Sequence, residues 1–279
     1  MYSLDAYRIN RYSVFVSPEA SGVFYLSMAK ERLDKVLAHL GIGSRKEIDR
    51  LARAGLITLD GETIKDSSFK FDPSLVRIEV DGEEIVYQRY FHVLLNKPTG
   101  YVTSTKDRDG RPITELLGMA RDDWMPVGRL DKDTEGLLLV TNDGELVHRL
   151  THPRWKVDKR YYVELESPVT DEDVKVFAQG FELEPERASG STSLGGETLQ
   201  PAALQISPDP RKVELTIHEG KFHQVKRMFA ARGNKVLYLK RVAFGPLELP
   251  PDLQTGASRP LSEEELVRLY SAVDLPVPD

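Results

Sequence analysis

The sequence predicts an α+β protein in which a small α/β module precedes a larger domain built on a mainly antiparallel, mixed sheet. Two amphipathic helix patterns stand close together near the start of the chain, many short apolar runs follow them, and turn signals separate these runs. At 279 residues the chain can form one large domain or two smaller ones. We predict a module over residues 30–87 and a second domain over residues 90–279.

Composition excludes several classes of protein. The chain has no cysteine, so it can form neither a disulfide framework nor a thiolate site, and its six histidines show no recognisable zinc spacing. Its longest apolar runs are far shorter than a membrane span, so we predict no membrane partner. The net charge of −6 is unevenly distributed: residues 221–241 carry seven Lys and Arg without an acid, whereas residues 164–186 carry eight acids and one cation. This asymmetry is compatible with a basic face for nucleic acid.

Residues 1–27 lack the charged start, the continuous apolar core and the cleavage site of a signal peptide, and the predicted extension covers residues 1–29. We predict a poorly ordered extension, or a true start near Met28. The run Val14–Val16 could add a strand, but no neighbouring pattern requires it.

The module begins with two predicted helices. The first has apolar residues at helical spacing, namely Leu33, Val36, Leu37 and Leu40. The second starts with the capping pattern Ser44-Arg45-Lys46-Glu47. On one side it carries four cations within about 140° of one another, at roughly 100° per residue: Arg45, Lys46, Arg50 and Arg53. A charged outer face is also normal for a small helical unit, so this arc alone is only suggestive.

A hairpin completes the module. The strand Leu56–Leu59 leads into the turn Asp60-Gly61 and a partner strand that runs through Ile64. The order of helix, basic capped helix and hairpin resembles the RNA-binding module first described in small-subunit ribosomal protein four. That resemblance implies recognition of RNA through its shape and phosphates. It also implies that Arg32 contacts RNA together with the four cations of the second helix.

The second domain shows alternating strand and helix patterns. The first strand, Phe91–Leu95, ends at Asn96-Lys97-Pro98-Thr99-Gly100, where Pro and Gly force a turn. Residues 103–112 and 187–200 are predicted to be a polar loop and a flexible hairpin tip. The remaining predicted elements are the strands Leu137–Val140, Tyr161–Leu165 and Val213–Ile217, the helix Glu145–Leu150, a helix after Gly220, and a terminal helix capped by Ser262 and Glu265.

The stretch Gly128-Arg129-Leu130-Asp131 precedes an apolar run that is closed by Asn142-Asp143-Gly144. A short apolar run that ends in a turn is typical of a buried strand, so Asp131 is expected in a loop held by the sheet. From spacing alone, a solvated surface turn is an open alternative.

Three segments together resemble the ribosomal small subunit pseudouridine synthase A family. They are Asn-Lys-Pro-x-Gly, Gly-Arg-Leu-Asp-x-x-Thr-x-Gly-Leu-Leu and Glu-Gly-x-x-His-Gln-Val-Lys-Arg-Met, with a Lys-x-Tyr strand between the last two. The resemblance covers about residues 30–270. It implies an isomerase that converts a uridine of 16S rRNA to pseudouridine, of the type that acts at position 516. It implies neither a cofactor nor a metal.

The same resemblance assigns roles to individual residues. Asp131 would be the catalytic carboxylate, as a nucleophile at C1′ or as the base that removes a ribose proton, and Lys226 its basic partner. Tyr161 would hold the extruded base, although a lone Tyr in a strand is more often core packing. Lys226 borders the buried helix face set by Val225 and Met228, whereas Arg227 points away; two solvated cations are the alternative. The family pattern adds three candidate RNA contacts: Lys97, Arg129 and Arg227.

The predicted partner is small-subunit ribosomal RNA in a partly assembled particle, and we predict a cytoplasmic monomer. Two other functions stay open. One is a paralogue that acts on 23S rRNA, and the other is a non-catalytic RNA-binding factor in ribosome assembly. The second would predict loss of Asp131 or Lys226, and both residues are present.

Overall fold

A computed structural model describes residues 30–104, 110–117, 123–183 and 197–278. Several predicted features lie wholly or partly outside these ranges: the N-terminal extension with its possible strand, the centre of the 103–112 loop, and most of the 187–200 hairpin tip. The described chain divides into two compact units. The first contains residues 45–86 and the segment that ends at Val36, and the second contains residues 37–44 and the chain from Tyr87 onward.

The N-terminal part of the chain alternates short strands with two helices. Its elements are β1 (Glu31–Arg32), α1 (Leu33–His39), α2 (Arg45–Arg53), β2 (Ile57–Leu59), β3 (Glu62–Thr63), β4 (Lys70–Phe71), β5 (Ile78–Val80) and β6 (Glu83–Ile85). Strands β3, β2, β5 and β6 form an antiparallel sheet in that order. The β2–β3 turn has positive φ at both Asp60 and Gly61, as a tight two-residue hairpin requires. The predicted hairpin is therefore confirmed.

The second unit is built on a large sheet. Its strands and helices are β7 (His92–Lys97), β8 (Tyr101–Val102), β9 (Arg111–Pro112), β10 (Met125–Pro126), β11 (Glu135–Thr141), α3 (Gly144–Thr151), β12 (Lys159–Leu165), α4 (Asp171–Gln179), β13 (Glu182–Leu183), β14 (Glu197–Thr198), β15 (Ala203–Ile206), β16 (Lys212–Ile217), α5 (Gln224–Ala231), β17 (Val236–Phe244), β18 (Leu247–Glu248), β19 (Ser258–Pro260) and α6 (Glu263–Ser271). The main path through the sheet runs β15-β16-β12-β17-β11-β7-β19.

Strand β11 lies inside this sheet and separates two apolar layers. Its neighbours are β7 and the short β10, which are both antiparallel to it, and β17, which is the only parallel partner among the described strands of this sheet. Leu138 and Val140 pack into a core with α4 and α5, whereas Leu137 and Leu139 pack into a core with α3 and α6. Because alternate residues of a strand point to opposite faces, a run that is apolar throughout is the sequence of a strand buried on both sides. This confirms the mainly antiparallel, mixed α+β fold.

Helix α6 begins with the predicted capping box. The Ser262 hydroxyl accepts a hydrogen bond from the Glu265 amide at 3.2 Å, and the Glu265 carboxylate accepts one from the Ser262 amide at 2.8 Å. The helix buries Leu269 and Tyr270 against the second core. Within the described ranges, no helix is long and apolar enough to cross a membrane.

Candidate active site

Asp131 lies in the loop that joins β10 to β11, and short hydrogen bonds fix this loop on both sides of the residue. The Thr103 hydroxyl donates to the Leu130 carbonyl at 2.7 Å and accepts from the Leu130 amide at 3.1 Å. The Thr134 amide closes a turn on the Asp131 carbonyl at 3.1 Å. The backbone of Asp131 is therefore held in place before any side chain acts on its carboxylate.

Lys97 donates hydrogen bonds to the backbone of the same loop. Its side chain is fully buried, and its ammonium donates to the carbonyls of Asp131 at 3.0 Å, Thr134 at 2.9 Å and Pro98 at 3.1 Å. Burial lowers the pKa of Lys97 to about 8, although the nearby acids oppose this shift. The prediction that Lys97 contacts RNA is therefore wrong, because the ammonium has no path to a phosphate and binds carbonyls of its own domain.

The Asp131 carboxylate faces the start of α5. Lys226 Nζ lies 3.4 Å from Asp131 Oδ2, and His223 Nε2 lies 3.6 Å from Asp131 Oδ1. The side chains of Asp131 and Lys226 are each 29% exposed, so the pair is reachable from solvent but partly shielded from it. The structure thus brings together the predicted carboxylate and its predicted cation, which are 95 positions apart in the chain.

Lys226 is shared with a second carboxylate that sequence reasoning missed. Its ammonium lies 2.6 Å from Asp133 Oδ1. Burial raises the pKa of Asp133, but the hydrogen bond and charge of Lys226 outweigh it and hold this pKa below its ordinary value. Lys226 therefore bridges the two acids of the loop.

Arg227, the next residue on α5, turns away from the site. Its Nη1 binds Glu197 Oε2 at 2.7 Å and the Phe222 carbonyl at 3.2 Å. Helical geometry correctly predicts that Lys226 and Arg227 diverge. The contact of Arg227 with RNA stays a prediction; in the structure its guanidinium is bound to Glu197 and its side chain is 17% exposed.

Tyr161 lies on β12 and is only 7% exposed. Its cross-strand partner on β17 is the buried Arg241, and interaction with Tyr161 opposes the lowering of the Arg241 pKa by burial. Tyr162 points to the other face of the strand, as predicted, and donates a hydrogen bond to Glu164 at 2.7 Å. Tyr161 is thus a nearly buried side chain rather than an open surface ring.

Arg241 is a buried cation that lies close to both Gly128 and Gly136. It is 1% exposed, and its Nε donates to the Leu137 carbonyl at 2.7 Å. A methyl group at Gly128 would lie 3.9 Å from Arg241 Nη1, and one at Gly136 would lie 2.2 Å from the Arg241 carbonyl oxygen. Only glycine at position 136 therefore allows β11 and β17 to approach. Sequence analysis missed Arg241, although its place in the alternation between Leu239 and Ala243 indicates an inward side chain.

The cations predicted to bind RNA from α2 all lie on the surface. Arg45, Lys46, Arg50 and Arg53 are exposed, while Ile48 and Ala52 of the same helix are fully buried. Arg53 lies 3.0 Å from Asp49, and Arg32 makes two hydrogen bonds to Asp34, at 3.0 and 2.8 Å. Arg129, beside Asp131, is also exposed. No group of three or more potential metal ligands occurs in the part of the chain that the structure describes.

Comparison with known proteins gives consistent matches. The RNA pseudouridylate synthase family profile matches residues 91–231, and the S4 domain profile matches residues 31–76. The chain is 43% identical over 241 residues to the ribosomal small subunit pseudouridine synthase A of Escherichia coli (strain K12), a match that covers 84% of this chain and 98% of that protein. An uncharacterized RNA pseudouridine synthase of Bacillus subtilis (strain 168) is 41% identical over 240 residues, which is 84% of this chain and 96% of that one. A crystal structure described as a pseudouridylate synthase matches with a TM-score of 0.58 and 35% identity, over 85% of this chain and 99% of that one.

Proposed function

We propose, from the premise that this chain belongs to the RNA pseudouridylate synthase family, that it isomerises one uridine of 16S rRNA with Asp131 as its catalytic carboxylate. The observation that carries this assignment is the Asp131 carboxylate itself, which a fixed loop presents between Lys226 and His223. The chain is a pseudouridine synthase of the small subunit synthase A type that acts on rRNA. We further propose that its substrate is small-subunit RNA and that the modified uridine is at position 516.

The reaction rearranges bonds within one nucleotide. The N1–C1′ bond breaks, the uracil turns over and a C5–C1′ bond forms; C5 loses a proton and N1 gains one. Asp131 acts either as the nucleophile at C1′ or as the base that removes a ribose proton, and the two routes require the same ionised carboxylate beside the sugar.

Lys226 is proposed to hold that carboxylate in place beside the sugar. At 3.4 Å their attraction is about 5 kcal/mol for an effective dielectric of 20 and about 1 kcal/mol in bulk water. Since both groups are partly exposed, we take about 1–3 kcal/mol, which is roughly 5-fold to 150-fold in rate if the pair acts in the transition state.

Tyr161, which is paired with the buried Arg241 across β12 and β17, is proposed to form a wall of the pocket that receives the extruded uracil. The exposed cations of α2, with Arg32 and Arg129, are proposed to hold the RNA backbone. The protein would act as a cytoplasmic monomer on a partly assembled small subunit, without a cofactor.

The test of the catalytic assignment compares two neighbouring acids. Asp131→Asn should abolish pseudouridine formation and keep RNA affinity within a few-fold, because the carboxylate contributes little binding surface. Asp133→Asn is the matched control, since it shares Lys226 but lies outside the proposed chemistry; its rate should fall no more than about 10-fold. Equal losses in both variants, or turnover by Asp131→Asn, would remove Asp131 from its role.

The RNA target has its own test. Pseudouridine is mapped in the 16S and 23S rRNA of cells with and without this gene. Loss of a single 16S position supports the proposal, loss of a 23S position supports the paralogue that acts on the large subunit, and an unchanged map supports the non-catalytic assembly factor.

A further inference from the structure

Phe222 and His223 form a stacked pair of rings at the mouth of the site. Their centroids lie 3.7 Å apart and their planes differ by 24°. Phe222 is 64% exposed, the second highest value among the exposed large apolar residues of the described chain. The proposed catalysis does not use this ring. The structure thus leaves a large aromatic side chain exposed on His223, the residue that approaches the Asp131 carboxylate.

We propose that Phe222 is a stacking platform for an unpaired RNA base that neighbours the reacting uridine, an assignment that rests on the proposed function. His223 closes the inner face of the Phe222 ring, and its own Nε2 lies 3.6 Å from Asp131 Oδ1. The outer face is left for a ligand. A base on that face would be separated from the Asp131 carboxylate by the two stacked rings, so it would belong to a neighbour of the reacting uridine and not to the uridine itself.

The local backbone holds the pair in this arrangement. His223 has a φ of 47°, a left-handed conformation that is unfavourable for a residue with a Cβ atom. The turn around it is braced on both sides. Arg227 Nη1 donates to the Phe222 carbonyl at 3.2 Å, and the buried Gln224 accepts from the Lys221 amide at 2.9 Å. An exposed ring on a braced and strained turn is preorganised, so little further ordering opposes binding.

The chemistry of the surroundings favours stacking over phosphate binding. Two cations flank Phe222, and carboxylates largely compensate both charges. Lys221 lies between Glu197 at 3.5 Å and Glu219 at 3.7 Å, and Arg227 lies 2.7 Å from Glu197. Every nucleobase presents a π face, and alanine substitution at such platforms costs about 1–3 kcal/mol per base, or about 5-fold to 150-fold in affinity. The platform should therefore strengthen binding without adding to its salt dependence.

Three substitutions of the full-length protein separate π stacking from simple apolar contact. Phe222→Ala removes the ring, Phe222→Leu keeps an apolar side chain without a π face, and Phe222→Trp keeps the face. The first probe is a short single-stranded oligouridine that carries one 2-aminopurine, whose fluorescence reports stacking. We expect the alanine and leucine variants to bind at least 5-fold more weakly and to lose the fluorescence change, and the tryptophan variant to stay within about 3-fold of wild type.

The second probe is the 16S rRNA fragment that the wild type modifies, with 2-aminopurine placed in turn on each side of the target. The signal should respond to Phe222 at one flanking position only, and the slope of log affinity against log salt should not change. Circular dichroism checks that each variant is folded. We expect all three variants to fold, because Phe222 is exposed.

The outcomes separate this inference from the proposed function. If Phe222→Ala binds within 2-fold of wild type with an unchanged fluorescence response, the platform is overturned, whatever the enzyme does. If leucine restores binding fully, the contact is apolar and the platform assignment is again overturned. If wild type makes no pseudouridine but the oligouridine responses follow Phe222 as expected, the proposed function fails and base stacking stands.

Discussion

Lys97→Met tests whether the buried lysine positions Asp131 or binds RNA. Methionine keeps the length of the side chain but removes the donors to the carbonyls of Asp131, Thr134 and Pro98. Each charged hydrogen bond contributes about 1.5–3 kcal/mol, and release from the cost of burying the charge offsets part of the loss. We expect a net destabilisation of about 2–4 kcal/mol, which lowers the melting temperature of a unit of this size by roughly 5–15 °C.

The variant should also react more slowly. Without its support the Asp131 loop can shift, and a displacement of about 1 Å costs about 100-fold in rate. RNA affinity and its salt dependence should stay as in wild type, because the ammonium is fully buried. Thermal melting, single-turnover rates and a salt titration of binding measure the three quantities. Lys132→Met is the control for stability, since that neighbouring lysine is exposed and its loss should change the free energy of unfolding by no more than about 0.5 kcal/mol.

The pKa of Lys97 adds a dependence on pH. Burial lowers this pKa from 10.5 to about 8, so between these values the unfolded chain binds more protons at this position than the folded one. The free energy of unfolding of wild type should therefore rise with pH across this window, by at most about 1.4 kcal/mol per pH unit from this group. In Lys97→Met the rise should be absent. A variant that melts like wild type and flattens the salt slope by about one unit would restore Lys97 as an RNA contact and refute the argument from burial.

Three further predictions follow from other parts of the structure. Replacing Arg50 and Arg53 by Ala should flatten the slope of log affinity against log salt by about one to two units, with little change in the single-turnover rate at saturating RNA; an unaltered slope would mean a merely solvated face. Burial lowers the pKa of His92 to about 4 against the opposing charge of a nearby aspartate, so stability should fall by up to about 3 kcal/mol as pH drops from 6.5 toward 4, and melting of His92→Gln should show a smaller acid dependence. Arg241→Gln and Tyr161→Phe should each slow single turnover, and the double variant should be no slower than the worse single one if the two side chains act as a unit; additive losses would separate them.

Local sequence patterns were sufficient to predict elements whose ends are set by neighbouring residues. The hairpin turn at Asp60-Gly61 and the cap of α6 at Ser262 both formed as predicted, because positive φ and capping hydrogen bonds involve residues within a few positions of one another. The first helix ends at His39, one residue before the predicted stripe does. Such small differences are normal at helix ends.

Charged residues were harder to place than apolar ones. A lysine or arginine in a family motif looks the same in sequence whether its head contacts RNA or a buried carbonyl. Lys97 and Arg227 were both expected to contact RNA, yet one is buried beneath the Asp131 loop and the other is bound to Glu197. The surroundings of both side chains depend on strands and loops that are distant in the chain.

The sequence by itself determined the α+β class, the family, the loop position of Asp131 and the face of α5 that carries Lys226. These follow from strand and helix periodicities and from motifs whose members are adjacent in the chain. Only the tertiary structure decided that Asp133 shares Lys226, that His223 lies beside Asp131, and that Arg241 joins Gly128, Gly136 and Tyr161. The physical reason is the order of strands in the sheet. The parallel pairing of β11 with β17 brings segments about 100 residues apart into contact, and no local pattern encodes which distant strand becomes the neighbour.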